Sequence, residues 1–261
     1  MPRLIDTHCH LCHARLKGDL PTVLARAEQA GVAAIICASG NVEESRQSRT
    51  IAHQHAQVYF TAGVHPHDAR KAGKAYLEEI SQLTTMDKNV AVGECGLDYH
   101  YDFSPRPTQQ RVFAEQADLA CKLGKKLVVH TREAFDDTLA ILKSSGIDGR
   151  AIVFHSFTED RSSLTRALEI GAMISFSGIV TFARSRELRE AAGLVPPDRI
   201  LIETDAPYLS PEPVRKMKTN EPANVAHVAA ALAAVRRSTL QALAELTASN
   251  AEKFFGLPRL S

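Results

Sequence analysis

Histidines and carboxylates recur in this chain at one kind of place, where a short apolar run gives out. His8 and His10 follow such a run near 3–7, Glu94 ends one near 90–94, and His130 ends one near 126–130. His155 ends the run near 151–155, and Asp205 follows the one near 199–204. These are the side chains that hold divalent ions: imidazole suits zinc, manganese or nickel, and carboxylates also suit magnesium. His8 and His10 are two apart on an extended segment, so both point to one side and can clamp one ion. His130 and His155, on neighbouring strands, form a second pair for a second ion. Glu94 lies in Val-Ala-Val-Gly-Glu-Cys-Gly-Leu-Asp. A buried carboxylate is costly unless it meets a cation or accepts several hydrogen bonds. One carboxylate shared by two ions holds them about 3.5–4 Å apart, as in two-metal hydrolases. The reading is two divalent ions (Mg, Mn or Zn), with Glu94 touching both and Asp205 acting as ligand and proton acceptor.

Each residue also has a plainer explanation. A lone strand-end histidine more often hydrogen-bonds within a core, Glu94 could pair with an Arg or Lys, and Asp205 could cap a helix. The paired spacing and the common placement favour the metal, and Pro207 follows Asp205 too closely for a helix to begin there. The tract His8-Cys9-His10-Leu11-Cys12-His13 has the Cys-x-x-Cys spacing of a zinc knuckle. It lacks a second cysteine pair, however, and Cys9 falls on the strand face opposite His8 and His10. Cys9 and Cys95 read better as small hydrophobes behind the site. A second circle would hold substrate: His65, and Arg132, whose guanidinium suits phosphate oxygens. His67, Asp98 and Tyr99 divide evenly between substrate contact and local loop structure. The run 214–218 divides in the same way between a solvated basic loop and a track for a nucleic-acid backbone.

The elements that must position these residues alternate along the chain. Strands are expected near 3–7, 33–38, 58–63, 90–94, 126–130, 151–155, 172–176 and 199–204. Helices are expected near 19–30, 43–56, 73–86, 107–123, 133–145, 160–170, 184–193, 222–236 and 239–254. Asp19 with Pro21 marks a helix start, and Gly31, Gly124, Gly146 and Gly171 mark stops. Repeated βα units without linker or low-complexity segment fit one (β/α)₈ TIM barrel spanning residues 1–261. An open doubly wound sheet would bring a glycine-rich phosphate turn after its first strand, where this chain has Asp-Thr-His-Cys-His. On a barrel, all six metal-type residues fall on the C-terminal rim, the face that carries active sites.

Composition agrees with a soluble barrel. The chain has 261 residues, 44% hydrophobic and 23% charged, with no Trp, so the core rests on aliphatic packing. No apolar run reaches the roughly 20 residues of a membrane span and no signal-peptide pattern opens the chain, which points to the cytoplasm. Five scattered cysteines do not describe a disulfide framework. A net charge of +1 argues against coating long stretches of nucleic acid, though not against gripping a few phosphates.

The chain resembles the TatD family of metal-dependent deoxyribonucleases, among the amidohydrolase-like barrels. The resemblance runs through Asp6-Thr-His-Cys-His-Leu11, Gly63-Val-His-Pro-His67, Gly93-Glu-Cys-Gly-Leu-Asp-Tyr99, Val129-His-Thr-Arg132 and Phe154-His-Ser-Phe-Thr-Glu159. It continues through Ser175-Phe-Ser-Gly178, Glu203-Thr-Asp-Ala-Pro-Tyr-Leu209 and Asn220-Glu-Pro222, and is nearest to the YcfH/YabD-like branch. It implies one metal on His8, His10, Glu94 and Asp205 and another on Glu94, His130 and His155. It further implies 3′-to-5′ trimming of DNA at single-stranded or frayed 3′ ends. Two departures stand out: His155-Ser156-Phe157 replaces His-Cys-Phe, and Arg215-Lys-Met-Lys-Thr219 replaces Arg-Gly-Lys, which puts the shape of that loop in question.

The chemistry that follows is phosphodiester hydrolysis. Metals lower the pKa of bound water toward neutrality, the hydroxide attacks phosphorus, Asp205 takes the proton and the Glu94-bridged ions stabilise the charge. The alternative is a metal-dependent amide or ester hydrolase such as a D-aminoacyl-tRNA deacylase. Many such barrels place a carboxylated lysine where this chain has Glu94, which favours the phosphodiester. A retired, non-catalytic site has no need of the full ligand set, and the sequence shows no obligate protein partner and no membrane attachment.

Overall fold

Eight strands, all parallel to their neighbours, run in sequence order around one sheet. The computed structural model describes residues 2–259. The strands are β1 (Leu4–Cys9), β2 (Val32–Cys37), β3 (Val58–Ala62), β4 (Asn89–Asp98), β5 (Lys126–Arg132), β6 (Ile152–Phe154), β7 (Met173–Phe176) and β8 (Ile200–Ile202). The seam between first and last strands is closed by a parallel bridge, Cys9 to Ala206. His10 N–H donates to the Ala206 carbonyl at 2.7 Å, and Asp205 N–H to that of His8 at 2.9 Å. The barrel expectation is borne out.

The helices outside it are α1 (Ala14–Lys17), α2 (Leu20–Gln29), α3 (Val42–Gln54), α4 (Tyr76–Thr84), α5 (Arg106–Leu123), α6 (Phe135–Ser145), α7 (Arg161–Glu169), α8 (Arg186–Leu194), α9 (Val225–Val235) and α10 (Leu240–Phe255). Every expected helix is present, and the short α1 is additional. Gly124 and Gly146 end α5 and α6 in the left-handed conformation that glycine adopts without strain. Asp19 precedes α2 without a capping hydrogen bond, so Pro21 carries that start.

Strand alternation splits the core in two. Leu4, Ile35, Phe60, Leu127, Phe154 and Ile174 belong to the layer packed with the helices. Ile5, Ile36, Tyr59, Val128, Val153, Met173 and Leu201 form a separate cluster that also takes in Ala248, Ala251, Phe254 and Phe255 of α10. The last helix therefore packs against the residues that fill the barrel. Asn250 fastens it by donating to the carbonyls of Pro197 (2.7 Å) and Ile200 (2.9 Å). No helix among the described residues is long and apolar enough to cross a membrane.

Two strands differ from expectation where it matters. β4 does not stop at Glu94 but runs to Asp98, and β5 runs past His130 to Arg132. Glu94 thus sits inside its strand, at a shift of register between Val92 and Cys95. The glycines on either side made the strand look finished. They are there because backbone from the next strand passes within reach: a Cβ on Gly93 would come 2.7 Å from the Val128 carbonyl oxygen, and one on Gly96 1.9 Å from that of His130.

Candidate metal centre

All six metal-type residues converge in one cavity of about 810 Å³ at the C-terminal end of the strands, with His65, Arg132 and Tyr208 also in or around it. Asp6 sets the first pair. Its carboxylate accepts from Thr204 N–H (2.9 Å), Thr204 Oγ1 (2.6 Å) and His8 N–H (3.3 Å), tying the end of β1 to the segment after β8. Burial pushes this carboxyl up to about 8. The tie sets His10 and Asp205 face to face, His10 Nε2 lying 3.3 Å from Asp205 Oδ1. Asp205 follows no strand directly and opens no helix; its φ of +55° marks a turn.

Glu94 divides the site. Its Oε2 faces His8 Nε2 (3.2 Å) and His10 Nε2 (3.7 Å), while Oε1 faces His155 Nε2 (2.8 Å), His130 Nδ1 (3.2 Å) and His65 Nε2 (3.2 Å). Tautomers sort these nitrogens. His155 Nδ1 lies 3.1 Å from Glu203 Oε1, and His130 Nε2 lies 3.1 Å from Asp98 Oδ2. A carboxylate only accepts, so each ring spends its N–H there. The nitrogens left over, His155 Nε2 and His130 Nδ1, carry lone pairs 3.3 Å apart and both face Glu94. Electron-pair donors packed this closely repel unless a cation lies among them. Carboxylates behind metal-bound histidines commonly fix the ring in this way. On the other side, His8 Nε2 is buried and has no hydrogen-bond partner. Donor chemistry and the orphaned nitrogen both fit divalent cations. His8, His10 and Glu94 form one group able to hold an ion, and His8, His155 and Asp205 another.

His65 belongs to a third such group, with Glu94 and His130. Its Nδ1 accepts from His67 N–H at 3.1 Å, however, so the proton resides on Nε2. That makes His65 a donor to Glu94 or to an incoming oxygen. Arg132 ends β5 half-buried in the cavity wall, its guanidinium over the Tyr101 ring at 4.9 Å. His67 Nε2 shares Asp98 Oδ2 with His130, at 2.9 Å. Tyr99 turns away, donating to Asp137 Oδ2 at 2.6 Å under the Arg106 guanidinium.

The protein charges answer one another. Burial alone would push Glu94 up, but the imidazoles of His155, His65, His8 and His130 that surround it outweigh burial and hold the carboxylate well below its usual range. Burial opposes protonation of His10, yet Asp205 and Glu94 raise it to about 9. For His65 burial wins, lowering it to about 4. Asp98 resists burial through hydrogen bonds from His130 and His67 and stays well below its ordinary value.

Sequence reasoning passed over Glu203. A carboxylate with no exposure ending the apolar run Ile200-Leu-Ile202 carries the same signal as Glu94, a buried acid that must have a partner. Gly96 was given no role either. Its φ is +139°, and the Cβ of an alanine there would strike the His130 backbone. Gly96→Ala is expected to cost about 2 kcal/mol or more in urea unfolding and to displace His130. Unchanged stability would show that the contact relaxes freely.

Nitrogen and oxygen groups able to hold a metal, gathered on the rim of a parallel barrel, point to a class, the barrel hydrolases that work through divalent ions. Within that class, the family model of TatD related DNase matches residues 5–256, and the chain belongs to that family. It is 38% identical over 255 residues to the uncharacterized metal-dependent hydrolase YcfH of Escherichia coli K12, covering 97% of this chain and 95% of the relative. It is 36% identical to a Klebsiella pneumoniae protein named 3′-5′ ssDNA/RNA exonuclease TatD, covering 97% and 98%. The solved structure of YJJV, a TatD homolog from Escherichia coli K12, superposes with a TM-score of 0.92 at 31% identity, covering 98% of this chain and 99% of that one. The protein is a metal-dependent hydrolase of ester bonds.

Proposed function

We propose that the protein is a phosphodiesterase that trims single-stranded or frayed DNA from its 3′ end, holding two divalent ions around Glu94. The observation that carries this reading is the division of Glu94, one oxygen toward His8 and His10 and the other toward His130 and His155. Bound ions would make water acidic enough to supply a nucleophile near neutral pH and would offset phosphate charge. The chain's own groups do the rest. Asp205 Oδ1, opposite His10, is the acceptor for the proton of the attacking water. His65 Nε2–H and the Arg132 guanidinium orient phosphate oxygens. Glu203 and Asp98 hold the imidazoles of His155 and His130 in the required tautomer. The family and the name of the Klebsiella relative support nucleic acid as substrate. Glu94, in place of a carboxylated lysine, argues against attack on a carbonyl carbon, as in a hydrolase of amides or carboxylic esters such as a D-aminoacyl-tRNA deacylase. Placement in the cytoplasm is part of the same proposal.

The cavity lies among βα loops, so a free end enters more readily than the middle of a rigid duplex. Single-stranded DNA labelled at its 5′ end, incubated with manganese-loaded enzyme, is expected to give a ladder descending from full length. Immediate release of labelled mononucleotide would reverse the direction, and scattered internal fragments would make the enzyme an endonuclease.

A further inference from the structure

Large apolar side chains are exposed at scattered points such as Met86, Leu123, Leu194 and Leu240, but three exposed aromatics border the cavity: Tyr101, Phe103 and Tyr208. Tyr101 and Phe103 are 49% and 53% exposed, although the seven-residue turn 99–105 before α5 could have tucked either ring away. Instead they stack on each other, centroids 5.2 Å apart and planes within 16°. The Arg132 guanidinium lies over Tyr101, and the His67 ring meets Phe103 edge-on at 4.8 Å.

The turn that carries them is pinned from several sides. Asp98 Oδ1 accepts from the backbone N–H of His100 (3.0 Å) and Tyr101 (2.9 Å), while its Oδ2 takes His130 and His67. Arg106 grips the Asp102 carboxylate, Ser104 Oγ donates to the His67 carbonyl at 2.9 Å, and Gln109 Nε2 donates to that of Ser104 at 2.8 Å. One carboxylate thus positions both a candidate metal ligand and the backbone beneath the rings. Two aromatic rings kept about half exposed at the mouth of a polar cavity cost solvation unless a flat partner covers what is left open.

We infer that Tyr101 and Phe103 form a platform on which a nucleobase next to the scissile phosphate stacks, with Arg132 between platform and metal centre to take the phosphate. The inference rests on the phosphodiesterase reading and adds what it lacks, a reason for the enzyme to prefer nucleic acid to other phosphodiesters. Every base presents a π face, so such a platform reads no sequence, and its rigidity spares the entropy of ordering a loop on binding. It also requires an unpaired base, because paired bases keep their faces inside the duplex.

The test uses metal-loaded enzyme and a single-stranded oligodeoxynucleotide, intact or with an abasic tetrahydrofuran residue at one or the other of its two 3′-terminal positions. For the wild type, kcat/KM should fall roughly 5- to 150-fold when the stacked base is missing, the value of one base–aromatic stack. In Phe103→Ala and Tyr101→Ala that dependence should shrink toward unity, through KM more than kcat, the intact strand losing more than the abasic one. Phe103→Tyr should restore it, and thermal unfolding of both alanine variants should match the wild type. Equal losses on intact and abasic strands, or wild-type dependence retained in both variants, would overturn the platform while leaving the phosphodiesterase standing. No cleavage of any strand by the wild type would remove both.

Discussion

Glu94→Gln is expected to lose about a thousandfold or more in kcat, together with part of its bound metal. Lewis-acid and nucleophile-generating roles are worth several kcal/mol, and each 1.4 kcal/mol or so is tenfold in rate. The substitution keeps the shape and removes the charge that five imidazoles face, at 2.8–3.7 Å. A glutamine could offer one carbonyl oxygen to one side of the site but would turn an NH₂ toward the other. Metal analysis and steady-state rates measured on the same preparation check this. Full metal content with near wild-type rate would show that Glu94 serves structure alone.

Asp205→Asn should behave differently. The amide keeps an oxygen at the place of Oδ1, 3.3 Å from His10, so metal content should hold. Proton acceptance is lost, and general-base contributions of roughly 10²–10⁴ predict a fall of that size in kcat with little change in KM. If metal content falls in step with rate, Asp205 is a ligand and nothing more.

Much of this was legible in the residues because burial punishes unpaired charge. Glu94 and the strand-end histidines stood out as polar groups ending apolar runs, and the alternation of such runs with amphipathic stretches was enough to specify the barrel. What escaped was the support behind the ligands. Asp98 divided evenly between loop and substrate contact because β4 was expected to end at Glu94, and only strand pairing shows that the glycines at 93 and 96 admit neighbouring backbone. Glu203 was masked by Asp205, two residues on, which already accounted for a carboxylate there. His65 was legible as a site residue. The backbone N–H that makes it a donor belongs to the turn after β3, whose shape no residue pattern announced.

Packing α10 against the barrel's own filling has a consequence for how the molecule can change. The cluster around Phe254 and Phe255 lies among residues from the starts and middles of the strands, whereas every ligand-type side chain lies beyond them toward the other mouth. Cohesion and chemistry therefore occupy opposite poles of one axis. The rim loops, including the variant stretch 215–219, can be lengthened, shortened or recharged while the plugged pole keeps the strands in register. Selection can retune what the barrel hydrolyses without renegotiating how it folds.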